Sequence, residues 1–411
     1  MTHYIESAAQ PFAPLIGVAP LMRRAFLNED LRPLGAVLLA RAQENPDDAN
    51  AYLDCSTVLQ LSGDRDIALA VQAQAVEMQA LYSLPTQQAE PGLRLLVIMG
   101  LGDLMSNTPV EFLLEDSDVA IDFLYLTLTS SLPATIPEHD VLLVALAESD
   151  ANQPLLQHVA TLIVNWPRPV INRPEYIAVL SRDGVCAALQ NMPGIEMPVT
   201  TRIDRSTLRA LATARTTVEA ILPGDGFPLI VRPIGSHAGQ NLEKMATRDA
   251  ITEYMRQVDA ARFYASRFVD YTSADGQFRK YRIALIDGLP YLCHLAISTH
   301  WMVHYLNADM SESAVKRAEE ARAMAHFDEE FAVRHATALQ AIYQRMALPY
   351  LCIDCAETRS GELLIFEIDN AMVVHAMDSE ALYPYKKPAM RKIFTAFRQM
   401  LENARQTSVT G

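Results

Sequence analysis

The sequence has no long hydrophobic run, few cysteines and a deficit of positive charge. No uninterrupted apolar stretch approaches the roughly 18 residues a membrane-spanning helix needs, so no span is expected. The opening residues, MTHYIESAAQPFAP, lack both the basic and the apolar portion of a secretory signal. Five cysteines, Cys55, Cys186, Cys293, Cys352 and Cys355, are scattered and odd in number, which reads as a reduced, cytoplasmic chain. Lys and Arg total 34 against 49 Asp and Glu, a net charge of −15. That balance argues against nucleic acid as the main partner, while a local basic pocket remains compatible with it. No Gly-x4-Gly-Lys-Ser/Thr loop occurs, and GLGDLM lacks the third glycine of a dinucleotide fingerprint.

What is present is enough chain for two or three domains, 411 residues of which 50% are hydrophobic. Residues 1–88 read as helical. LRPLGAVLLARAQENP is amphipathic, and two further helical patterns are separated by SGD at Gly63. This stretch resembles a tetratricopeptide repeat with one full unit. A single unit should pack on a neighbouring domain or a second subunit, as a structural appendage or a protein-docking surface. Residues 92–178 begin with strand Leu93–Met99, then a Gly100–Gly102–Asp103 turn, and continue with strands at AIDFLYL and HDVLLVAL. Strands separated by helical patterns imply a parallel sheet with helices over it. LIVNWPRPVINRPEYIAVLSRDGVCAALQNMPGIEMPVTTRI is expected to run through a strand, a loop and a helix. In residues 179–405, Leu229–Arg232 is a strand before a glycine loop. ARFYASRFVDY and RKYRIALIDGLPYLCHLAIS alternate as antiparallel strands. The stretch from Ser311 to Leu348 has the spacing of one long helix, with His335 on its apolar stripe.

Two features carry chemistry. The loop RPIGSHAGQ, with Gly235, Ser236, His237 and Gly239, can turn backbone N–H groups toward a phosphate, with Arg232 over the same anion. Asp354 lies inside the apolar strand YLCIDC, and Glu367 ends LLIFE with Asp369 two residues on. A two-residue step returns to the same face, so adjacent antiparallel strands would gather Asp354, Glu367 and either Asp369 or Asn370. Such oxygens, with no cation near them in sequence, suit Mg²⁺ with phosphate and water completing the shell.

Taken in order, VINRPEYIAVLSRDGVCAALQNMPGIEMPVT, PLIVRPIGSHAGQ, SRFVDY, FRKYRIALIDGLPY, LPYLCIDCAET and LLIFEIDN resemble the ATP-grasp superfamily of carboxylate–amine ligases, over about residues 92–400. The resemblance implies an α/β chain: an α+β ATP-grasp core, a parallel-sheet domain before it, and the N-terminal all-α tetratricopeptide-like region. It implies ATP with Mg²⁺, or Mn²⁺ in its place. Arg232 matches the family's strand lysine, and Gly235–Gly239 its phosphate loop. Arg267, Phe268 and Val269 match the adenine hinge, Asp270 reaches the ribose, and Arg282 steadies the acyl-phosphate transition state. Asp354 and Glu367 match metal ligands; the family's asparagine falls at Asp369, followed by Asn370. The implied reaction activates a carboxylate with ATP and joins it to an amine or other nucleophile, releasing ADP and phosphate. Substrates would be small-molecule or peptide acids and amines; a protein partner on the helical region and a homo-oligomer are also admitted. The competing readings are a non-catalytic nucleotide-binding scaffold and a kinase-like phosphotransferase.

HLAISTHWMVHYLNADM places His294, His300 and His304 close together, with Asn307 nearby. His300 and His304 are four apart, but the glutamate of His-Glu-x-x-His is missing, so zinc is the minor reading. Contact with the acceptor substrate by His300, His304 or Asn307 is preferred to it, beside the plainer reading of structural packing. Cys352 and Cys355 read as buried thiols, and His375, Asp378, Lys386 and Lys387 as further residues of the acceptor pocket.

Overall fold

The computed structural model describes residues 12–86, 90–224, 226–236 and 239–407. The chain starts with four helices: α1 (Val18–Phe26), α2 (Arg32–Glu44), α3 (Ala49–Leu61) and α4 (Arg65–Met78). Pro33 sits in the first turn of α2, where its missing N–H costs nothing, and the Asp48 carboxylate caps α3 by accepting from Ala51 N. Gly63 turns α3 into α4 at φ 94°, a conformation that favours glycine. Ala68 and Ala75 are fully buried on α4, seven residues apart on one face. Residues 81–83 depart from the helical reading: β1 (Leu81–Ser83) joins the sheet of the next region. Three residues are too few to show a period, so only the sheet edge identifies them.

The second region comprises β2 (Leu93–Gly100), α5 (Val110–Leu113), β3 (Val119–Leu126), β4 (Val141–Val144), α6 (Gln153–Leu162), β5 (Val170–Ile171) and α7 (Pro174–Ile177). The sheet order is β1-β3-β2-β4-β5, parallel except for β1 at the edge. Its central strands are apolar without alternation because both faces are covered. Two expectations fail. No helix links β3 to β4; residues 127–140 cross over without one. Leu162 ends helix α6 where a strand was expected, because Leu155, Leu156 and Val159 continue a helical stripe.

The remainder contains α8 (Arg182–Leu189), β6 (Ile195–Glu196), β7 (Thr200–Asp204), α9 (Arg205–Ala212), β8 (Leu229–Pro233), β9 (Glu243–Met245), α10 (Arg248–Gln257), β10 (Arg262–Arg267), β11 (Phe278–Ile286), β12 (Leu289–Ser298), α11 (Ala314–His326), α12 (Phe331–Arg334), α13 (Ala336–Met346), β13 (Tyr350–Glu357), β14 (Leu363–Asp369) and α14 (Lys386–Thr407). One sheet, β7-β10-β8-β9, is antiparallel. The other runs β12-β11-β13-β14-β6, antiparallel except for β6 beside β14. The expected long helix is broken into α11, α12 and α13. His335 stands at the second break, buried, with Nε2 2.9 Å from Glu357 Oε1. A carboxylate on β13, which the helical period cannot reveal, thus takes up the one polar residue of the stripe. No helix among the described residues is long and apolar enough to cross a membrane.

Candidate active site

A cavity of about 1150 Å³ is lined by residues of both antiparallel sheets, of α8 and of α1. Register assembles its charged floor. Arg282 on β11 stands opposite Asp354 on β13, and Asp354 opposite Glu367 on β14. The three form a row across neighbouring strands. Register shifts at Arg282/Ile283 and Asp354/Cys355 fall beside this row, where bulges re-aim side chains. Lys280, two residues before Arg282, shares its face and also lines the cavity.

The carboxylates are not free of cations, contrary to the sequence reading. Asp354, 2% exposed, accepts from Arg282 Nε at 2.8 Å and Nη2 at 3.0 Å, and Lys280 Nζ lies 2.6 Å away. Burial pushes its carboxyl up, but Arg282 and Lys280 outweigh burial and hold it well below the usual carboxylate range. Glu367 is bound by Arg182 Nη2 at 2.5 Å, while Arg182 Nη1 donates to Phe366 O at 2.9 Å. Burial acts against its charge, and Arg182 and Arg232 hold its pKa below normal. For Asp369, burial, then the charge of Glu367, outweighs the Ala371 N–H and Arg182 and pushes its pKa up to about 7. These cations sit on β8, β11 and α8, remote in sequence, so local reading could not pair them.

Asn370 is corrected as a metal ligand. It is fully buried and does not line the cavity. Its Nδ2 donates to Leu146 O at 2.9 Å and Thr108 Oγ1 at 3.2 Å, tying the end of β14 to the parallel-sheet region; its Oδ1 has no partner. Asn370 directly follows Asp369, so strand alternation turns it to the opposite face.

Among the described residues no three His, Cys, Asp or Glu side chains converge as a metal cage. The donor set fits Mg²⁺ nonetheless. Asp354 and Glu367 stand opposite one another, and Asp369 is crowded by a like charge that a dication would relieve. One or two carboxylates suffice for Mg²⁺ when phosphates supply the rest.

Arg232, 7% exposed, donates through Nε to Ser236 Oγ at 3.2 Å and through Nη2 to Ser236 O. Burial, then the nearby Arg182, pushes its pKa down to about 10, which leaves it charged at neutral pH. Gly235 and Gly239 take φ 79° and 73°, which a side chain would strain. Gly239 lines the cavity; His237 lies outside the described residues. Phe268 and Val269 line it too. The Phe268 ring carries Lys244 Nζ at 3.5 Å and meets Trp301 edge-on. Arg267 also borders the cavity, but its guanidinium donates to the carbonyls of Leu222, Pro223 and Gly226, which makes it a brace for that loop. Asp270 is exposed and bonded to Thr272 and Arg359, outside the lining.

Of the expected acceptor residues, His304 lines the cavity; His300 and Asn307 are exposed and do not. Asn307 Oδ1 accepts from His304 N at 2.9 Å, so its visible contribution is to shape the turn. His294 faces the cavity opposite Arg282, and burial first, then Arg282, pushes its pKa well down. His375, Asp378 and Lys386 line the cavity, whereas Lys387 pairs with Glu380 at the surface. Lys386 Nζ lies 3.3 Å from Asp378 and 3.6 Å from the buried Glu320. Sequence reading missed Arg182 and Lys280. The period-two spacing of Lys280 and Arg282 was a usable signal; Arg182, at the start of α8 after its cap Ser181, had none.

No protein family and no curated protein sequence matches this chain. Solved structures similar to it include D-alanine–D-alanine ligase from Bacillus anthracis complexed with ATP. That match has 15% identity, covers 77% of this chain and 99% of that one, and gives a TM-score of 0.44. The VanG D-Ala:D-Ser ligase of Enterococcus faecalis matches at 13% identity over 75% and 99%, TM-score 0.46. A RimK domain ATP-grasp protein of Sphaerobacter thermophilus matches at 12% over 75% and 99%, TM-score 0.42. At likenesses this low the chemistry rests on the residues of the cavity.

Proposed function

We propose that the chain is an ATP-grasp ligase that activates a carboxylate as an acyl-phosphate and joins it to an amine. The observation that supports this reading is the row Arg282–Asp354–Glu367 facing one cavity with Arg182, Arg232 and Lys280. In a chain of net charge −15, several cations brought to one cavity with anionic strand ends suit a polyphosphate and its dication. Ile230, Phe268, Val269 and Phe366 offer apolar surface for a base.

In this reading Arg182 and Arg232 hold the phosphates, and the Gly235 loop covers them. Asp354 and Glu367, with Asp369, hold Mg²⁺, which when bound offsets charge on the β- and γ-phosphates. Arg282 and Lys280 orient the acid and stabilise the charge that develops during transfer. A carboxylate oxygen bonds to the γ-phosphorus as the bond to ADP breaks. The amine nitrogen then bonds to the acyl carbon, phosphate leaves, and the nitrogen gives up a proton. The imidazoles of His294 and His304, their pKa values pushed down first by burial, line the cavity at this end. Residues 92–178 and 179–405 would share this work, and residues 1–88, tetratricopeptide-like in this reading, would pack beside them.

The test is to supply ATP, Mg²⁺ and pairs of acids and amines, following ADP, phosphate and product mass. Release of ADP and phosphate that needs both acid and amine, and is lost in Glu367→Gln, supports ligation. Full ATP turnover in Glu367→Gln sinks it, and a stable phosphorylated product identifies a phosphotransferase.

A further inference from the structure

Helix α1 belongs to the N-terminal helical region, yet Met22, Ala25 and Phe26 form part of the cavity wall. The helix is held in that position from several sides. Its first N–H groups receive no cap from its own residues. Instead Asp54 of α3 accepts from Ile16 N at 2.8 Å and Gly17 N at 3.1 Å. Glu111 of α5 accepts from Val18 N at 2.9 Å and Ala19 N at 2.8 Å. Gly17 fits there at φ 90°, where a Cβ would meet Glu111 Oε2 at 2.7 Å. Arg23 pairs with Glu115. On the inner face Ala19 packs with Phe112 and Met377, and Met22 and Val373 join them.

This wall lies beside the Arg282 end of the charged row. Arg282 Nη1 reaches Val373 O at 3.4 Å, and Val373 belongs to the same apolar cluster as Met22. The ring of His375 lies 5.5 Å from Phe26, and burial first, with Lys386 and Arg282 against the opposing Asp378, pushes its pKa down. Phe26 lines the cavity and is 41% exposed, apolar area that a bound ligand can cover.

We propose that α1 is the specificity wall of the acid-binding end, and that the acid seated there carries an apolar side group. Its carboxylate faces Arg282, and its side group covers Met22 and Phe26. This inference rests on the ligase reading for assigning that end to the acid.

The test measures binding alone. Acetate and 3-phenylpropionate are each titrated into the full chain without nucleotide, followed by ligand-observed NMR. The parent is expected to bind 3-phenylpropionate about tenfold or more tightly than acetate, as burial of a ring implies. Met22→Ala/Phe26→Ala brings the ratio to about threefold or less by removing that area. Ala25→Trp, which fills the wall instead, weakens 3-phenylpropionate and spares acetate. Absence of binding, equal binding in the parent, or a ratio that survives both variants overturns the proposal. If no acid–amine pair releases ADP while the ratio collapses in the variants, ligation fails and the wall stands. ADP release with an unchanged ratio gives the reverse.

Discussion

Replacing Asp354 by asparagine tests the charged row most directly. In the parent one carboxylate, 2% exposed, faces two cations whose side chains are 15% and 19% exposed. At contacts near 3 Å each attraction is roughly 5 kcal/mol at an effective dielectric of about 20, before desolvation is subtracted. Breaking a buried pair by removing one partner costs about 3–5 kcal/mol, because the remaining charge stays desolvated. Here Lys280 and Arg282 keep some access to the water of the cavity, and the amide oxygen still accepts one hydrogen bond. We therefore expect about 2–4 kcal/mol. At about 2.1 cal/mol/K per residue, the chain has an unfolding entropy of about 0.9 kcal/mol/K if it melts as one unit. The melting temperature of Asp354→Asn should fall by about 2–5 °C in a scanning calorimeter. Sulfate should restore more of this loss in the variant than it adds to the parent, because the two cations then lack their anion. A melting temperature unchanged within about 1 °C, with sulfate acting equally on both proteins, would refute the view that Asp354 neutralises this pair.

Arg182→Met should raise the KM for ATP by about tenfold to a hundredfold, as loss of a charge-assisted contact implies; an unchanged KM removes Arg182 from the phosphate site. Asn370→Ala should lower stability by about 2–3 kcal/mol through its two lost hydrogen bonds and leave the Mg²⁺ dependence of turnover unmoved. A shift in half-saturating Mg²⁺ would restore Asn370 as a ligand. Burial pushes Glu357 up, but His335 and Arg334 outweigh it and bring its pKa to about 2. A depressed carboxyl contributes stability above its unfolded pKa and loses it as pH falls through the folded value. The parent should therefore lose about 2–3 kcal/mol between about pH 5 and 2 that Glu357→Gln does not lose. Parallel acid-unfolding profiles would contradict this.

Much of the strand content was legible because burial on both faces leaves continuous apolar runs, as in Leu93–Gly100 and Tyr350–Glu357. The opposition of Asp354 and Glu367 was legible too, since their strands are consecutive and antiparallel. The break at His335 was not, because its cause is Glu357 on another element. Strand β1 was too short to show a period. The face of Asn370 follows from strand alternation, but that it bonds to Thr108 and Leu146 required the neighbouring region.

The sequence by itself determined many of the longer strands and helices and which side chains carry charge or phosphate-binding loops, because periodicity, caps and turns act between near neighbours. The tertiary structure alone decided which charges compensate one another. It placed Arg282 and Lys280 on Asp354, Arg182 on Glu367, and α1 along the cavity. Desolvation and Coulomb attraction act through space, and strand register together with packing sets those distances.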